Sequence, residues 1–447
     1  MFSKILIANR GDVALRVLRA CKELNIKTVA VHSTADNDAM HVRLADESVC
    51  IGPPSSSKSY LNIPSIITAA QLVGADAIHP GVGFLSENPD FAEIVEAHNI
   101  VFIGPKPEHI RCMGDKIEAK LTAQKLGIPL VPGSDSDISN LENAFKEAEK
   151  VGYPILIKAA SGGGGRGMKV ASNEKELESA YTSARNEAKA AFGDDRVYIE
   201  RYLQNPRHIE VQIIGDKFGN TVHLGERECS IQRRHQKVIE EAPSPVINDQ
   251  TRNKIGDIAS NSVSKMGYVG LGTIEFLYEN DEFFFIEMNT RLQVEHPITE
   301  AITGIDLVRE QILVAAGAPL SFQQSDIKFN GHAIECRINA ENPKTFLPSP
   351  GKILQFHSPC GLGIRVESCV YSGYDVPPYY DSLIAKLIVH GKDRDHCILR
   401  LKQALKEIVI EPISTTIDLH KDILETEVMK NGSYDIRWLE TELLDKK

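Results

Sequence analysis

A glycine-rich segment bounded by cations is the first feature of the sequence that could carry chemistry. It runs from Lys158 to Met168 and contains four successive glycines followed by Arg166. Glycines let backbone N–H groups wrap phosphate oxygens, and a lysine adds positive charge to the same phosphates. The segment is not a Walker A loop, because no Gly-Lys-Ser/Thr follows. The alternative, a flexible linker, rarely lies between two predicted strands, so the sequence favours phosphate binding.

A set of oxygen ligands on two predicted strands indicates a divalent-metal site. Glu275 lies in one strand, and Glu287 and Asn289 lie on one face of the next. Mg²⁺ and Mn²⁺ prefer such carboxylate and amide oxygens and share phosphate oxygens with ATP. A solvated strand face is the alternative. Both glutamates have apolar neighbours, however, and an unpaired carboxylate in that setting is costly.

The segment after these ligands carries Arg291, Gln293 and Glu295 in alternation. On an extended chain these three side chains point the same way. A cation, an amide and a carboxylate beside a metal predict a site for a small oxyanion with a base next to it. Arg337 is a second candidate cation, and a surface ion pair is its open alternative.

A basic run from Glu228 to Lys237, with Arg233 and Arg234 at its centre, suggests anion handling in an acidic protein. A solvated loop is the alternative. His208 could contact a ligand, although a single histidine is more often structural.

Short strands and amphipathic helices alternate along the first hundred residues and must position these groups. The predicted strands are 4–8, 27–32, 75–78 and 100–103, and the predicted helices are 13–24, 63–72 and 91–98. This alternation predicts a doubly wound parallel sheet. The first turn lacks Gly-x-Gly-x-x-Gly, so dinucleotide binding is not expected.

After a predicted helical connector at about 105–125, the pattern of predicted strands and helices changes twice. Strands at 153–158, 168–170 and 197–200 and a helix at 177–190 surround the glycine segment, and antiparallel-looking strands follow at 208–215, 221–226, 272–278 and 282–288. Asn280-Asp281 is a predicted hairpin turn between the last two. Strands near 333–338, 363–366 and 382–389 precede a helix at 397–408. The fold class is therefore α/β and α+β.

The composition excludes several classes of protein. The net charge is −11, which disfavours a nucleic-acid binder. The eight cysteines contain no C-x-x-C pair and suggest neither a disulfide framework nor a zinc site. We find no signal peptide and no apolar stretch that would span a membrane. A cytoplasmic enzyme is expected, with an organelle matrix as the alternative location.

Together these segments resemble the biotin carboxylase subunit of acetyl-CoA carboxylase, a biotin-dependent carboxylase of the ATP-grasp type. The resemblance covers essentially the whole chain and rests on the glycine segment, 79–81, 83–88, 207–210, 226–234 and 285–296. It implies an N-terminal doubly wound (pre-ATP-grasp) domain at 1–114 and an ATP-grasp domain at 115–328 with a mobile glycine-rich lid at about 133–203. A C-terminal mixed α+β domain at 329–447 would follow.

The resemblance also implies a role for each matching residue. ATP would be bound by Lys116, Lys158, Gly164, Gly165, Glu200, Arg201, Tyr202, Leu203, His208, Gln232, His235, Glu275 and Glu287. Two Mg²⁺ or Mn²⁺ ions would be held by Glu275, Glu287 and Asn289, and bicarbonate by Lys237, Arg291, Gln293, Val294 and Glu295. Glu295 would be the base, with Arg291, Lys237 and Arg337 as the other catalytic residues. Arg337 would stabilise the enolate of biotin.

Two positions depart from the family pattern. Val82 stands in the biotin site where the family commonly has tyrosine, so one contact to biotin differs. Arg201 stands where a lysine is frequent. This segment meets adenine largely through its backbone in the family, so we expect little effect.

The implied reaction is ATP- and bicarbonate-dependent carboxylation of biotin through carboxyphosphate. Biotin would belong to a separate biotin carboxyl carrier protein, because the nearest string to Met-Lys-Met, Val428–Gly432, is typical of a terminal helix end. Carboxyltransferase subunits would be further partners. A homodimer through Arg19, Glu23 and Arg365 is expected. The rivals are another ATP-grasp ligase that joins a carboxylate to an amine, and a non-catalytic nucleotide-binding subunit.

Overall fold

The computed structural model describes residues 1–134, 137–160 and 167–444, without the side chain of Ile117. These residues form two compact units. The larger comprises 1–119, 207–276 and the chain from 287 onward, and the smaller comprises 120–206 and 277–286. Gly164 and Gly165, which we predict to bind phosphate, lie outside the described residues.

Twenty strands and fourteen α-helices occur in the described ranges. The strands are β1 Lys4–Ile7, β2 Lys27–Ser33, β3 Glu47–Gly52, β4 Ala77–His79, β5 Val101–Phe102, β6 Ile155–Ala159, β7 Met168–Ala171, β8 Val197–Arg201, β9 Arg207–Gly215, β10 Thr221–Arg233, β11 Gln236–Ala242, β12 Gly270–Glu279, β13 Glu282–Asn289, β14 His332–Asn339, β15 Gly351–Lys352, β16 Gln355–His357, β17 Ile364–Ser368, β18 Asp375–Val376, β19 Leu383–Gly391 and β20 Val409–Glu411. The helices are α1 Gly11–Glu23, α2 Met40–Leu44, α3 Ile63–Val73, α4 Pro89–Ala97, α5 Pro107–Gly114, α6 Lys116–Leu126, α7 Leu141–Val151, α8 Glu174–Phe192, α9 Asp249–Lys265, α10 His296–Thr303, α11 Leu307–Ala315, α12 Arg394–Glu407, α13 Ile417–Glu425 and α14 Glu427–Asn431.

The predicted parallel sheet is confirmed at the N-terminus. Its strand order is β3-β2-β1-β4-β5, and each pair of neighbours is parallel. The central strand β1 is buried because helices cover both faces of such a sheet. The sequence did not predict β3, an edge strand with only one buried residue, which therefore carries little apolar signal.

An eight-stranded sheet positions most of the predicted site residues. Its order is β13-β12-β9-β10-β11-β14-β19-β17, and the pairs from β9 through β17 are antiparallel. Every residue of β9 is buried. The β12–β13 hairpin turns at Asn280 and Asp281, both with positive φ, which confirms the predicted turn.

The basic run is not a solvated loop. β10 continues through Arg233, the chain reverses at Arg234 and His235, and β11 returns beside it. Both turn residues have positive φ, at 49° and 63°. This reversal places Lys237 at the start of a strand rather than in a loop.

The smaller unit contains a three-stranded antiparallel sheet in the order β7-β6-β8. Helices α7 and α8 bury Ala144, Leu177 and Ala184 in the same apolar cluster as Ile155 and Ile157 of β6. Lys158 lies on β6, and this strand leads into the glycine segment. No helix in the described part of the chain combines the length and the apolar character that a bilayer crossing requires.

Candidate active site

A cavity of about 330 Å³ opens on the larger unit and is lined by residues of β11, β12, β13 and β14. Its lining includes all of the predicted metal and oxyanion residues. The residues that line the cavity are Val82, His208, Arg233, His235, Gln236, Lys237, Val238, Glu275, Glu287, Asn289, Arg291, Gln293, Val294, Glu295, Arg337, Asn339, Glu341, Phe346, Asp381, Leu383, Thr416 and Leu419. Residues far apart in sequence therefore share one cavity.

Lys237 lies at the centre of this cavity, among three carboxylates. Its Nζ donates to Glu210 at 2.5 Å, to Glu275 at 3.0 Å and to Glu295 at 2.5 Å. Burial alone would lower the pKa of Lys237, but the three glutamates outweigh it and raise the pKa well above its ordinary value. Lys237 therefore stays charged.

Glu295 receives cations from two directions. Besides Lys237, Arg337 donates from its guanidinium to Oε2 at 2.8 Å. Burial would raise the pKa of Glu295, but Lys237, Arg337 and Arg227 lower it well below the ordinary value. Glu295 is therefore an ionised carboxylate that can accept a proton once its cations move to another anion.

The segment from Arg291 to Glu295 is not extended, contrary to our prediction. The strand ends at Asn289, and Glu295 already occupies the N-cap position of α10 with φ −85° and ψ 11°. The side chains still converge, because the turn into the helix brings them to the same cavity. Arg291 donates to Gln293 at 3.1 Å, and Gln293 donates to Glu275 at 3.3 Å.

Glu87 fixes Arg291 from the loop after β4, and the sequence did not single it out. Oε2 of Glu87 accepts from Nε of Arg291 at 2.7 Å, and Oε1 accepts from the backbone N–H of Thr290 at 3.1 Å. Its position in 83–88, a segment that resembles the family, was the only signal.

Arg337 is a partly buried cation that lines the cavity and not a surface ion pair. Its Nε donates to Glu240 at 2.5 Å, in addition to its contact with Glu295. Burial raises the pKa of Glu240 to about 7. Glu335, opposite Glu240 on the neighbouring strand, has a pKa raised well above its usual range, mainly by burial.

The predicted metal ligands lie together on the β12–β13 hairpin. Glu275 accepts from Nδ2 of Asn289 at 2.9 Å, and Nε2 of His208 lies 2.9 Å from its other oxygen. Burial would raise the pKa of Glu275, but Lys237 and His208 lower it. Glu287 reaches the open cavity, and its pKa is raised by burial and by Glu275 and Glu87. Two carboxylates and an amide oxygen are the hard donors that Mg²⁺ or Mn²⁺ takes, so this set fits such an ion.

His208 and Gln232 form a pair at the inner wall. Nε2 of Gln232 donates to the carbonyl of Cys229 at 2.8 Å and lies 2.6 Å from Nδ1 of His208. With Nδ1 accepting, Nε2 of His208 carries the proton towards Glu275. Of the other predicted ATP residues of this unit, His235 lines the cavity in the β10–β11 turn. Lys116 begins α6, and its charge opposes the rise in the pKa of Glu287 that burial causes.

The remaining predicted ATP residues belong to the smaller unit. Lys158 and Glu200 form an ion pair of 2.5 Å. Glu200 is almost fully buried, and Lys158 and Lys120 lower its pKa against burial. Lys120 is a functional candidate that we missed, although its spacing of one helical turn from Lys116 was a usable signal.

The segment after Glu200 is held by the same unit. Arg201 forms an ion pair with Glu282 at 3.0 Å and lies over the ring of Phe284. The backbone N–H of Tyr202 donates to Pro154 at 3.0 Å, and the side chain of Leu203 is buried.

Fold and site together define an ATP-grasp enzyme. Residues 115–323 match the model of the carbamoyl-phosphate synthase L chain ATP-binding domain. Residues 1–110 match that of the biotin carboxylase N-terminal domain, and residues 335–441 match the biotin carboxylase C-terminal domain.

The sequence and structure of this chain match those of known proteins along nearly its full length. The biotin carboxylase of Haemophilus influenzae is 60% identical over 444 residues, which is 99% of both chains. A biotin carboxylase–β,γ-ATP complex from Campylobacter jejuni superposes with a TM-score of 0.92 at 53% identity and 98% coverage of both chains. The chain belongs to the biotin carboxylase family and is an ATP-dependent carboxylase.

A third relative comes from a different carboxylase. It is the biotin carboxylase domain dimer of the Hydrogenobacter thermophilus 2-oxoglutarate carboxylase, in complex with MgADP, ADP and bicarbonate. It has a TM-score of 0.90 and 48% identity, and the match covers 98% of this chain and 97% of that one.

Proposed function

We propose that this chain carboxylates biotin on a separate biotin carboxyl carrier protein, as the first half-reaction of acetyl-CoA carboxylase in the supply of malonyl-CoA for fatty acid synthesis. The observation that carries the proposal is the placement of Lys237 and Arg337 on Glu295 beside Arg291 and Gln293. This set offers positive charge to a small oxyanion and a carboxylate base to its proton.

Bicarbonate would bind between Arg291 and Lys237, with Gln293 and Val294 beside it. As an anion, it competes with Glu295 for the charge of Lys237. A carboxylate that loses part of its ion pairing becomes a stronger base. Glu295 would then take the bicarbonate proton, and the resulting oxyanion attacks the γ-phosphate of ATP to give carboxyphosphate.

Arg337 would act in the second step. Carboxyphosphate decomposes to CO₂ and phosphate, and the phosphate takes the ureido proton of biotin. Arg337 offsets the negative oxygen that develops on biotin, and the nitrogen captures CO₂. Val82, which lines the same cavity, would contact biotin through a smaller side chain than a tyrosine offers.

ATP would be bound by Lys116, Lys158, Gly164, Gly165, Glu200, Arg201, Tyr202, Leu203, His208, Gln232, His235, Glu275 and Glu287. Two Mg²⁺ or Mn²⁺ ions would be held by Glu275, Glu287 and Asn289. When bound, such ions neutralise the charge on the phosphates of ATP. Lys158 and Lys120 already share the single buried carboxylate of Glu200, and this excess of positive charge supports an anionic ligand.

The domain boundaries at 1–114, 115–328 and 329–447 are part of the same proposal, as is a lid at about 133–203. The ranges of the matching family models support the division. A cytoplasmic location is proposed with it.

We also propose a homodimer through Arg19, Glu23 and Arg365. These residues line one surface depression with Arg16, Glu300 and Glu367, where charges of both signs alternate. A two-fold contact needs such a self-complementary patch, and the relative from Hydrogenobacter thermophilus forms a dimer.

ATP hydrolysis by the purified chain tests the catalytic proposal. ADP release should require bicarbonate and should rise on addition of free biotin. Release that ignores both substrates would favour another ATP-grasp ligase. No ATP turnover under any condition, with nucleotide still bound, would indicate a non-catalytic subunit.

Affinity purification from the native host tests the choice of partner. It should recover a biotinylated carrier together with an acetyl-CoA carboxyltransferase. A transferase for pyruvate or 2-oxoglutarate in its place would contradict the acetyl-CoA assignment and leave the biotin carboxylase reaction intact.

A further inference from the structure

Lys386 is a buried lysine that the proposed mechanism does not use. It lies in β19, and its side chain is only 1% exposed. It does not line the active-site cavity. Removal of an ammonium group from water is costly unless other groups compensate, so the contacts of Lys386 indicate what holds it there.

The ammonium group of Lys386 contacts the backbone of the segment from Arg291 to Glu295, which would bind bicarbonate. Nζ of Lys386 donates to the backbone carbonyl of Val294 at 2.8 Å and lies 3.3 Å from Oδ2 of Asp12. Burial would lower the pKa of Lys386, but Asp12, Glu335 and Glu367 raise it, so the group is charged. A charged donor makes a stronger bond to a carbonyl than a neutral one does.

Sheet register explains why this lysine and Arg337 act on the same segment. Arg337 of β14 pairs directly with Lys386 of β19, so the two side chains leave neighbouring strands on the same face. Arg337 donates to the carboxylate of Glu295, and Lys386 donates to the carbonyl of the residue before it. Two strand-borne cations therefore hold consecutive residues of a segment that has no strand pairing of its own.

We propose that Lys386 is a positioning residue for bicarbonate, which fixes the Val294–Glu295 peptide so that the oxyanion site is formed before the substrate binds. The proposal rests on the proposed function, which places bicarbonate at this segment. Lys386 is not among the residues that line the cavity in which bicarbonate would bind. Its loss should therefore affect bicarbonate and not ATP.

Steady-state kinetics of Lys386→Met test the proposal, because methionine has nearly the same length and removes the charged donor. Loss of a hydrogen bond from a charged group corresponds to roughly a ten- to hundredfold change in affinity. The KM for bicarbonate should rise by that factor, while the KM for ATP stays within about twofold. Lys386→Arg, which keeps a charged donor, should recover most of the bicarbonate affinity.

Lys402→Met is the control, because it makes the same substitution at a partly buried lysine that forms an ion pair away from the cavity, with Glu425 at 2.9 Å. It should leave both KM values unchanged. If Lys386→Met is insoluble, Lys386→Gln takes its place under the same criterion. An unchanged KM for bicarbonate, or an equal rise in both KM values, overturns the proposal. A wild-type enzyme without bicarbonate dependence would instead overturn the proposed function.

Discussion

Single charged groups in the cavity depend on their neighbours for their chemistry. Glu295 is held as a carboxylate by Lys237 and Arg337, and the same cations are the groups that an incoming anion would attract. As the proposed base, Glu295 would therefore be weak before bicarbonate binds and would become stronger once bicarbonate draws its cations away. This arrangement avoids protonation of Glu295 by water before the substrate binds.

Replacement of the base gives the first prediction. Glu295→Gln keeps the shape of the side chain but cannot accept a proton, so the bicarbonate-dependent kcat should fall roughly 10²- to 10⁴-fold. The KM for ATP should change little. Measurement of ADP release at saturating bicarbonate checks this result. Glu427→Gln, at an exposed ion pair, should keep the wild-type rate. A loss of less than tenfold in Glu295→Gln would show that another group takes the proton.

Glu240 gives a prediction on pH. Its pKa rises from 4.5 to about 7, mainly through burial, and its Oε2 has no hydrogen-bond partner among the described residues. Between these two values the folded protein binds more protons than the unfolded chain, so the stability falls as the pH rises. The total loss from this group is roughly 3 kcal/mol.

Denaturant unfolding at pH 5, 6, 7 and 8 measures this effect. Glu240→Gln removes the titrating group, so its stability should fall less steeply with pH than that of the wild type. Glu407→Gln, at a partly exposed glutamate near His357, should keep the wild-type slope. Parallel slopes for wild type and Glu240→Gln would contradict the assignment.

Among the elements, the β10–β11 hairpin shows how local chain geometry serves the site. Its turn residues Arg234 and His235 both have positive φ, and His235 and Lys237 line the cavity from it. β-branched residues tolerate positive φ poorly, whereas glycine accepts it. The turn conformation therefore decides where these two cavity residues lie.

Arg234→Val should cost about 1–2 kcal/mol, because valine is strained in this left-handed conformation. It should also raise the KM for ATP if His235 binds the nucleotide. Arg234→Gly is the matched control, because it removes the same charge and side chain without strain. Thermal unfolding and ATP kinetics of both variants provide the comparison. Equal effects in the two variants would assign the result to the lost side chain.

The sequence predicted elements with a strong apolar period and missed those without one. The parallel sheet and the β12–β13 hairpin were foreseeable, because apolar runs and the turn pair Asn280-Asp281 mark them. β3 and β11 were not, because an exposed edge and a run of cations hide the strand pattern.

The candidate site, like the fold, was only partly predictable from the sequence. Spacing grouped Glu275, Glu287 and Asn289, since these residues share one hairpin. Contacts such as Glu87 with Arg291 join residues 204 positions apart, and only tertiary structure creates them. Lys386 and Glu240 likewise lie near the site because of how their strands pair in the sheet. Local sequence patterns do not predict which strands pair or in what register.

At the scale of the whole molecule, the proposed dimer surface includes a strand, β17, of the eight-stranded sheet that also carries the candidate site. Glu367 of β17 pairs with Arg19 and Arg365 at this surface and lies opposite Lys386 in the sheet. Lys386 in turn donates to the carbonyl of Val294, in the segment proposed to bind bicarbonate. A subunit contact at Arg19 would therefore adjoin Glu367, a buried carboxylate that lies opposite Lys386 in the sheet.

Charge reversal at this surface gives the final prediction. Arg19→Glu reverses a charge on the proposed surface and places it beside Glu367 of the same chain. A change on a two-fold contact acts twice, because both subunits carry it. Light scattering should therefore show a shift from a dimer of about twice 49.3 kDa towards the monomer. Arg43→Glu is the matched control, because its side chain is 49% exposed, against 47% for Arg19. It should remain dimeric. A wild-type chain that is monomeric at micromolar concentration, or an Arg19→Glu variant that dimerises as tightly as the wild type, would contradict the proposed interface.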